Sequence, residues 1–364
     1  MRILLIGEYS NVHATLAKGL RRLGNEVIVA SNGDFWKNYP RDVDLARPRG
    51  RWGGVELLAR IYANLPAMRG YDIVQLINPI FLELKAERLF SVYDYLRRHN
   101  GRVVLGAFGM DYYWVNESVT RMHLRYSDFN IGKQLRRDDD ALRARADWTG
   151  TPKEKLNRHI ADTCDKIVAG LYEYWSCYEP KFPKKTVFIP FPIEMEESVE
   201  PTAVHVPVRF FIGINKSRNA YKGTDIMLRA AEDVVGRYPG KAVLVKAESI
   251  PFDEYKSLMD GSDLLLDQLY SYTPAMNALL GMSKGIVCVG GGEPENYDIL
   301  DERELRPIIN VEPSYQSVYE ALEEVALNPL TLNRLKKESV EYVRRHHDYM
   351  KVARQYCDLY ESIL

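Results

Sequence analysis

Three cations, Lys216, Arg218 and Lys222, follow a short apolar run in the second half of the chain. The run Val208–Ile214 is rich in β-branched and aromatic residues, which is typical of a buried strand. From Thr224 onward apolar residues recur at helical spacing, and we expect Thr224 to be the N-cap. Backbone N–H groups, the helix dipole and fixed positive charge would then converge, a combination that binds phosphate. The alternative is a surface loop with solvated Lys and Arg side chains.

Polar residues also lie near the ends of apolar runs in the first half. They fall at 7–11, at Asn78 and at 108–111. If those runs are parallel strands, residues past their carboxyl ends occupy the edge where ligands of open α/β sheets bind. The alternatives are structural. Asn78 followed by Pro79 is a sequence that favours a turn, and Asp111 suits a turn or a helix cap.

The elements that would position these residues alternate between strands and helices. Strand, glycine loop, helix and strand open the chain as a βαβ unit, which implies a parallel sheet. The predicted strands cover 2–6, 26–30, 72–76, 102–107, 166–170, 186–189, 208–214, 242–247, 263–267, 286–289 and 308–311. The predicted helices cover 13–23, 55–68, 81–98, 152–164, 172–178, 224–237, 252–259, 275–283 and one or two within 332–364.

The chain of 364 residues is long for one domain and natural for two. Pro190, Pro192, Pro201 and Pro207 punctuate a polar segment between two α/β halves, which indicates a linker. We therefore predict two α/β domains, at 1–195 and 196–364. No G-x-G-x-x-G dinucleotide motif follows the first strand.

Residues 112–150 interrupt this alternation. The segment starts with three aromatic residues and continues with interleaved Arg and Asp. We interpret it as a lid or an acceptor-binding excursion with some helix. Because its cations alternate with acids, no basic stripe forms, and we expect no nucleic-acid partner.

The charge of the chain is unevenly distributed. Residues 1–195 hold 30 Lys and Arg against 23 Asp and Glu, whereas the remainder holds 19 against 27. A basic first half could attract a membrane surface, a lipid phosphate or an acidic glycan, the alternative being an unevenly charged solvated surface.

No apolar run approaches the roughly 20 residues of a membrane span, and the apolar start RILLIG is too short for a signal peptide. The four cysteines are far apart and lack metal-ligand spacing, which favours reduced thiols. We expect a cytoplasmic protein, with peripheral contact to the inner face of the membrane as a further expectation.

These features together resemble the GT-B-fold glycosyltransferases, in particular the large retaining family 4 (glycosyl transferases group 1). The family carries an Arg and a Lys-Gly pair that hold the donor diphosphate, and here Arg218 and Lys222-Gly223 are similar, one residue closer than usual. Lys216 could substitute for either charge. The segment 276–297 resembles the family's nucleotide-binding signature, with Asn277 and Ala278 at the helix start.

The chain departs from the family at three polar positions. The two signature glutamates fall on Tyr272 and Leu280, and a Leu side chain cannot accept a hydrogen bond from a ribose. A family histidine falls on Phe108, although Gly109 and Asp111 of that pattern remain. Another acid, Glu248, Asp267 or Glu293, would then recognise the nucleotide or sugar, or typical activity has been lost.

The resemblance implies a GT-B architecture of two Rossmann-like domains with a cleft between them, the first on the acceptor side and the second on the nucleotide-sugar donor side. It also implies C-terminal helices that pack back on the first domain. It implies transfer of a sugar from a nucleotide diphosphate sugar to an acceptor hydroxyl, with retention and without a metal or other cofactor. Asp111 would be the catalytic candidate, and Gly7, Glu8, His13 and Asn78 would lie on the acceptor side. We expect a sugar or lipid-linked sugar acceptor and a role in cell-surface or capsular polysaccharide assembly. The alternatives are a nucleotide-sugar binding or scaffold protein and a nucleotide-sugar epimerase or hydrolase.

Overall fold

The computed structural model describes residues 1–214, 219–248 and 250–364, so that Lys216 and Arg218 lie outside the described residues. The chain divides into two compact units. Unit 1 comprises Met1–Thr120, Ala144–Glu194 and Tyr349–Leu364, and unit 2 comprises Arg121–Arg143 and Met195–Asp348. The sequence prediction places residues 121–143 in the first domain and residues 349–364 in the second.

The strands of the described residues are short and mostly apolar. They are β1 (Arg2–Ile6), β2 (Glu26–Ser31), β3 (Val43–Asp44), β4 (Ile73–Leu76), β5 (Arg102–Ala107), β6 (Asn130–Ile131), β7 (Gln134–Leu135), β8 (Lys166–Ala169), β9 (Thr186–Phe188), β10 (Val208–Ile214), β11 (Ala242–Glu248), β12 (Leu264–Leu266), β13 (Val287–Gly290) and β14 (Ile309–Asn310).

Helices connect most of these strands. They are α1 (Val12–Arg22), α2 (Gly53–Asn64), α3 (Ala86–His99), α4 (Tyr112–Thr120), α5 (Asp139–Trp148), α6 (Pro152–Thr163), α7 (Tyr172–Tyr178), α8 (Asn219–Lys222), α9 (Thr224–Arg237), α10 (Phe252–Met259), α11 (Met276–Ser283), α12 (Pro294–Ile299), α13 (Tyr315–Leu327), α14 (Leu332–His346) and α15 (Tyr349–Glu361). Short 3₁₀ helices cover Phe35–Lys37, Leu65–Met68 and Pro329–Thr331.

Each unit is built on one parallel sheet. Among the described residues, the sheet of unit 1 has the order β3-β2-β1-β4-β5-β8-β9 and that of unit 2 the order β11-β10-β12-β13-β14. Every pairing in both sheets is parallel. Central strands such as β1 and β12 are almost completely buried, which explains their continuous apolar sequence. The prediction of two Rossmann-like α/β domains is confirmed.

Two local predictions were wrong, and one long helix was missed. Gly223, not Thr224, is the N-cap of α9, and Thr224 is its first residue. The helix predicted from residue 81 begins at Ala86, because the preceding residues form a tight turn, with the Leu84 N–H donating to the Leu82 carbonyl at 2.7 Å, and Lys85 is extended. Helix α13 was not predicted at all.

The last helix belongs to unit 1, where α15 packs on α1. An added Cβ at Gly19 would lie 2.6 Å from the Ala353 Cβ and 2.8 Å from the Tyr349 carbonyl oxygen, so the two helices touch through a glycine. The buried Tyr360 hydroxyl donates to Gln75 Oε1 of β4 at 2.7 Å. Residues 349–364 thereby complete the core of unit 1.

Candidate functional site

The predicted phosphate-binding element is the loop of residues 215–223, which we call the entry to α9. Its described part, residues 219–223, has a distinctive backbone. Gly223 caps the helix in the left-handed conformation, with φ of 71°. A Cβ there would lie 2.7 Å from the Leu269 Cβ, so the position requires glycine for both space and conformation. The Leu269 N–H donates to the Lys222 carbonyl at 2.9 Å. The backbone of the half-buried Lys222 is thus fixed beside the helix N-terminus.

Two further candidate residues, Asn277 and Asp267, lie together at the carboxyl end of β12. Asn277, near the start of α11, donates from Nδ2 to Asp267 Oδ1 at 2.9 Å. The Tyr255 hydroxyl donates to Asn277 Oδ1 at 3.0 Å. Ala278 is buried behind Asn277. Asp267, an alternative acid in the sequence prediction, therefore positions Asn277 at the same sheet edge as the α9 entry.

Glu248 and Glu293 lie in different surroundings. Glu248 is the last residue of β11, in register with Ile214, and is exposed. Glu293 is the N-cap of α12 and is 6% exposed, so its carboxylate needs partners inside the protein. Its backbone N–H donates to the Tyr272 carbonyl at 3.1 Å.

The partners of Glu293 come from the 121–143 segment. Arg125 donates to Glu293 Oε2 at 2.6 Å and to Glu295 Oε1 at 2.7 Å. The Tyr126 hydroxyl donates to Glu293 Oε1. The Arg125 backbone N–H donates to the Tyr272 hydroxyl at 2.6 Å, and its guanidinium lies 4.9 Å from the centre of the Tyr272 ring. Tyr272 thus holds the 121–143 segment through its hydroxyl and its ring. The family resemblance predicts a glutamate at residue 272.

The same segment reaches the entry to α9. The Arg136 guanidinium lies 3.7 Å from the centre of the Tyr270 ring, and its Nη1 donates to the Tyr221 carbonyl at 3.5 Å. The Tyr221 hydroxyl donates to Asp128 Oδ2 at 2.7 Å. Asp138 pairs with Arg136 at 3.0 Å. A fourth cation, absent from the sequence prediction, therefore lies next to α8.

Residues 267–272 connect these features. They contact the α9 entry through Leu269, α11 through Asp267, and the 121–143 segment through Tyr270 and Tyr272. Added Cβ atoms at Gly290 and Gly291 would lie 2.8 Å from the Gln268 carbonyl oxygen and 2.1 Å from that of Ser271. The glycines after β13 therefore allow that loop to lie directly against residues 267–272.

The candidate residues of unit 1 cluster at the start of α1. Glu8 is buried and accepts from the backbone N–H groups of His13 at 3.2 Å and Ala14 at 2.8 Å, which caps α1. Burial raises the pKa of Glu8 to about 8, although these hydrogen bonds act in the opposite direction. Gly7, Ser10 and Asn11 all have positive φ, and such backbone strain is often found at functional sites.

His13 is held inside the fold through both ring nitrogens. Its Nδ1 lies 2.8 Å from the Gly7 carbonyl, which can only accept, so Nδ1 carries the proton. Nε2 then accepts from Gln75 Nε2 at 3.2 Å. Burial lowers the pKa of His13 to about 3, so the ring is neutral at ordinary pH. The geometry gives His13 a structural role in joining α1 to β4.

Asp111 and Asn78 also have partners within unit 1. Asp111 is completely buried, and it accepts from the Trp114 N–H at 2.8 Å and from the Tyr178 hydroxyl at 2.7 Å. Burial raises its pKa to about 7. Asn78 donates to the Met110 carbonyl at 3.2 Å and accepts from the Ile80 N–H at 3.0 Å. A catalytic role of Asp111 stays a prediction that requires acceptor access to this carboxyl group.

No group of His, Cys, Asp or Glu side chains suited to a metal ion occurs among the described residues. Over the same part of the chain, no helix combines the length and apolarity needed to cross a bilayer. The prediction that no metal is required stays a prediction.

Comparisons with known proteins relate these features to solved structures. Neither a protein-family model nor a curated protein matches the chain. Sucrose-phosphate synthase from Thermosynechococcus elongatus is 14% identical, with a TM-score of 0.63 over 100% of this chain and 99% of that one. HepE from Anabaena, solved with UDP and glucose, is 13% identical, with a TM-score of 0.59 over 100% of both chains.

The chain has the GT-B fold. That fold is not tied to one reaction. A Listeria monocytogenes protein named as a UDP-N-acetylglucosamine 2-epimerase matches with a TM-score of 0.55 at 10% identity, over 98% of this chain and 94% of that one. At these identities the comparisons establish the architecture of the GT-B chain and leave its chemistry to its own residues.

Proposed function

We propose that the chain is a glycosyltransferase that moves a sugar from a nucleotide diphosphate sugar to an acceptor hydroxyl, with retention. The observation that carries the proposal is the entry to α9, where Lys222 and the left-handed Gly223 are fixed against Leu269. A helix N-terminus opened by glycine lets phosphate oxygens approach backbone N–H groups, and a neighbouring cation adds charge. The GT-B fold, which HepE shares while binding UDP and glucose, supports this assignment.

In the proposed reaction the acceptor oxygen bonds to the anomeric carbon while the bond to the donor diphosphate breaks. The departing diphosphate gains negative charge, which Lys222 and the α9 dipole stabilise, together with the family-predicted Arg218 and Lys216. The acceptor proton passes to the departing phosphate, so no protein base is required. Asn277, held by Asp267, and the acids Glu248 and Glu293 are proposed contacts of the nucleotide and sugar.

The proposed acceptor is a sugar or a lipid-linked sugar, and the proposed setting is assembly of a cell-surface or capsular polysaccharide. Neither follows from the geometry of unit 2, and both are supported by the family resemblance alone. Gly7, Glu8, His13 and Asn78 are the proposed acceptor-side residues of unit 1. Glu8, His13 and Asn78 are buried, which supports a role in shaping the backbone there.

The donor site is testable by nucleotide-dependent thermal stability with UDP, ADP and GDP. A ligand at about 100 times its dissociation constant stabilises the folded state by roughly 2.7 kcal/mol. We expect one nucleoside diphosphate to raise the melting temperature of the wild type. Lys222→Gln should weaken that ligand about tenfold and reduce its stabilisation by about 1.4 kcal/mol. Lys241→Gln, an exposed lysine at the opposite end of α9, is the matched control and should leave binding unchanged.

A binding or scaffold protein without turnover is the second candidate. The specific observation in its favour is that Tyr272 and Leu280 occupy the two glutamate positions, and that Glu293 is already engaged by Arg125 and Tyr126. Incubation with the stabilising nucleotide sugar distinguishes the candidates. Transfer to an added acceptor supports the transferase. Sugar release or isomerisation without an acceptor supports a hydrolase or an epimerase, and nucleotide binding without turnover supports the scaffold.

A further inference from the structure

An exposed aromatic and basic surface lies on unit 1. The loop that carries part of it touches the predicted acceptor-side segment, because Asp34 accepts from the Ser10 N–H at 2.8 Å and Lys37 donates to the Ser10 hydroxyl at 3.2 Å. Phe35, Trp36, Trp52 and Val55 are 61%, 64%, 69% and 60% exposed, respectively. Such exposure of large apolar side chains within about twenty residues of chain is unusual for a protein surface, and patches of this kind mark interaction sites. We call these four residues, with Arg47, Arg49 and Arg51, the aromatic–basic surface.

The sheet brings the two halves of this surface to one edge. Strands β2 and β3 are parallel, with Ala30 opposite Val43 and Ser31 opposite Asp44. The segment with Phe35 and Trp36 leaves the carboxyl end of β2, and the segment with Arg47 to Trp52 leaves the carboxyl end of β3. Both segments therefore start from adjacent positions on the same edge.

Backbone contacts hold both segments in place. The Tyr39 N–H donates to the Gly33 carbonyl at 2.9 Å, which closes the loop that carries Phe35 and Trp36. The Gly53 N–H donates to the Gly50 carbonyl at 3.2 Å. A Cβ at Gly53 would lie 1.9 Å from the Pro48 carbonyl oxygen, so the turn before α2 is tight. The loop with Phe35 and Trp36 and the turn with Trp52 are thus held in place by backbone hydrogen bonds and close packing.

The positive charge of the three arginines is not neutralised by the acids around them, because those acids pair with other cations. Asp34 pairs with Lys37 at 2.6 Å, Asp44 with Arg41 at 2.8 Å, and Glu56 with Arg60 at 3.2 Å. Asp42 pairs with Arg21 at 2.5 Å.

Arg47, Arg49 and Arg51 are exposed, and within the described residues none of them forms an ion pair. The acid that approaches this turn is Glu83, which accepts from the Arg47 backbone N–H at 3.2 Å. Three arginines against one acid leave the turn positively charged.

We propose that the aromatic–basic surface docks on a membrane that contains anionic lipid. Tryptophan and phenylalanine partition into the interfacial region of a bilayer, while arginine binds anionic headgroups. Phe35 and Val55 offer no hydrogen bond, so they suit an acyl-chain boundary better than an acidic glycan. The inference does not depend on the proposed transferase activity, because its test measures vesicle binding and not sugar transfer.

Vesicle sedimentation of the whole chain tests this assignment. We expect binding to vesicles of phosphatidylcholine with phosphatidylglycerol, and much weaker binding to phosphatidylcholine alone. Each arginine near an anionic membrane strengthens vesicle binding roughly fivefold. The triple change Arg47→Gln, Arg49→Gln and Arg51→Gln should therefore weaken binding about a hundredfold. Trp52→Ser should weaken it about tenfold through lost apolar burial.

Matched controls exclude general effects of charge and hydrophobicity. Arg69, Arg88 and Arg98 are exposed arginines of the same unit, and their replacement by Gln should leave vesicle binding unchanged. Leu330→Ser removes an apolar side chain that is 79% exposed in unit 2 and should also have no effect. Because all changed side chains are exposed, melting temperatures should stay near that of the wild type.

Three results would overturn the proposal. The first is wild-type protein that fails to sediment with either vesicle. The second is equal binding by the wild type and the two surface variants. The third is tight binding to heparin, tested as a soluble polyanion, with vesicle binding unaffected by Trp52→Ser, which would make the surface a polyanion site.

Discussion

Asp111 shows how burial decides the role of one carboxyl group. The side chain caps α4 through the Trp114 N–H and accepts from the buried Tyr178 hydroxyl. Burial penalises the charged form, and the pKa is raised to about 7 despite these two hydrogen bonds. Glu8 repeats this arrangement at the start of α1, with a pKa of about 8. Two strand-end carboxyls of unit 1 are therefore neutral over much of the acidic pH range.

This protonation gives a pH-dependent prediction for Asp111→Asn. Between about pH 4 and pH 7 the folded wild type holds a proton on Asp111 that the unfolded chain has released, so its free energy of unfolding falls as pH rises. Asparagine keeps an acceptor for the Trp114 N–H and does not titrate. Urea unfolding of both proteins should show the variant gaining stability relative to the wild type from pH 4 to pH 7.

Asp111→Ala is the control for the loss of the cap. It removes the acceptor of the Trp114 N–H and should cost about 1 kcal/mol relative to Asp111→Asn at every pH. A stability difference between the wild type and Asp111→Asn that does not change with pH would show that Asp111 ionises normally in the folded protein.

Sequence reasoning located part of the candidate site and missed the rest for a physical reason. Lys222–Gly223 and Asn277 follow the rule that ligand-binding residues lie past parallel strand ends, which local pattern reveals. The bond between Arg125 and Glu293 joins residues 168 apart in sequence. Neither residue lies in a motif that names the other. Only the folded position of the 121–143 segment brings them together.

At the scale of elements, the contact between α1 and α15 depends on one glycine. Gly19→Ala should destabilise unit 1 by about 1–3 kcal/mol, because the new Cβ would overlap Ala353 and the Tyr349 carbonyl. Alanine ordinarily favours a helix over glycine by up to about 1 kcal/mol, so the sign of the effect identifies the contact. Thermal or urea unfolding measures it.

Gly236→Ala is a matched control within α9. Among the described residues, and apart from its chain neighbours and its own helix backbone, no heavy atom lies within 4 Å of the Cβ that the change would add. It should therefore leave stability unchanged or raise it by a few tenths of a kcal/mol near the helix end. Destabilisation of similar size in both variants would contradict the assigned α1–α15 contact.

Sequence pattern predicts the buried strands well and the short strand β3 and the α9 cap poorly. Strands of the two sheet centres were predicted almost to the residue, because burial on both faces leaves uninterrupted apolar runs. The two-residue strand β3 gave no such run and was not predicted. The cap of α9 was misplaced by one residue, since the left-handed conformation of Gly223 depends on its packing against Leu269.

For the whole molecule, the division into units predicts a selective effect of truncation. A chain of residues 1–348 lacks α15, whose Tyr356 and Tyr360 are buried in unit 1. Hydrogen exchange should show loss of protection in β1 and β4, while β10 and β12 of unit 2 keep theirs. Tyr360→Phe removes only the donor to Gln75 and should have a much smaller effect. Equal loss of protection in both units would show that they unfold as one.

The return of residues 349–364 to unit 1 also has a consequence during synthesis. On the ribosome the chain emerges from its N-terminal end, and domains generally fold in that order. Unit 1 is made first, yet α1 keeps an uncovered apolar face until the last of these residues has been translated. Unit 2 receives its 121–143 segment early and its remaining residues in one stretch. The second unit can therefore be completed before the first, and the nascent first unit exposes apolar surface for longer.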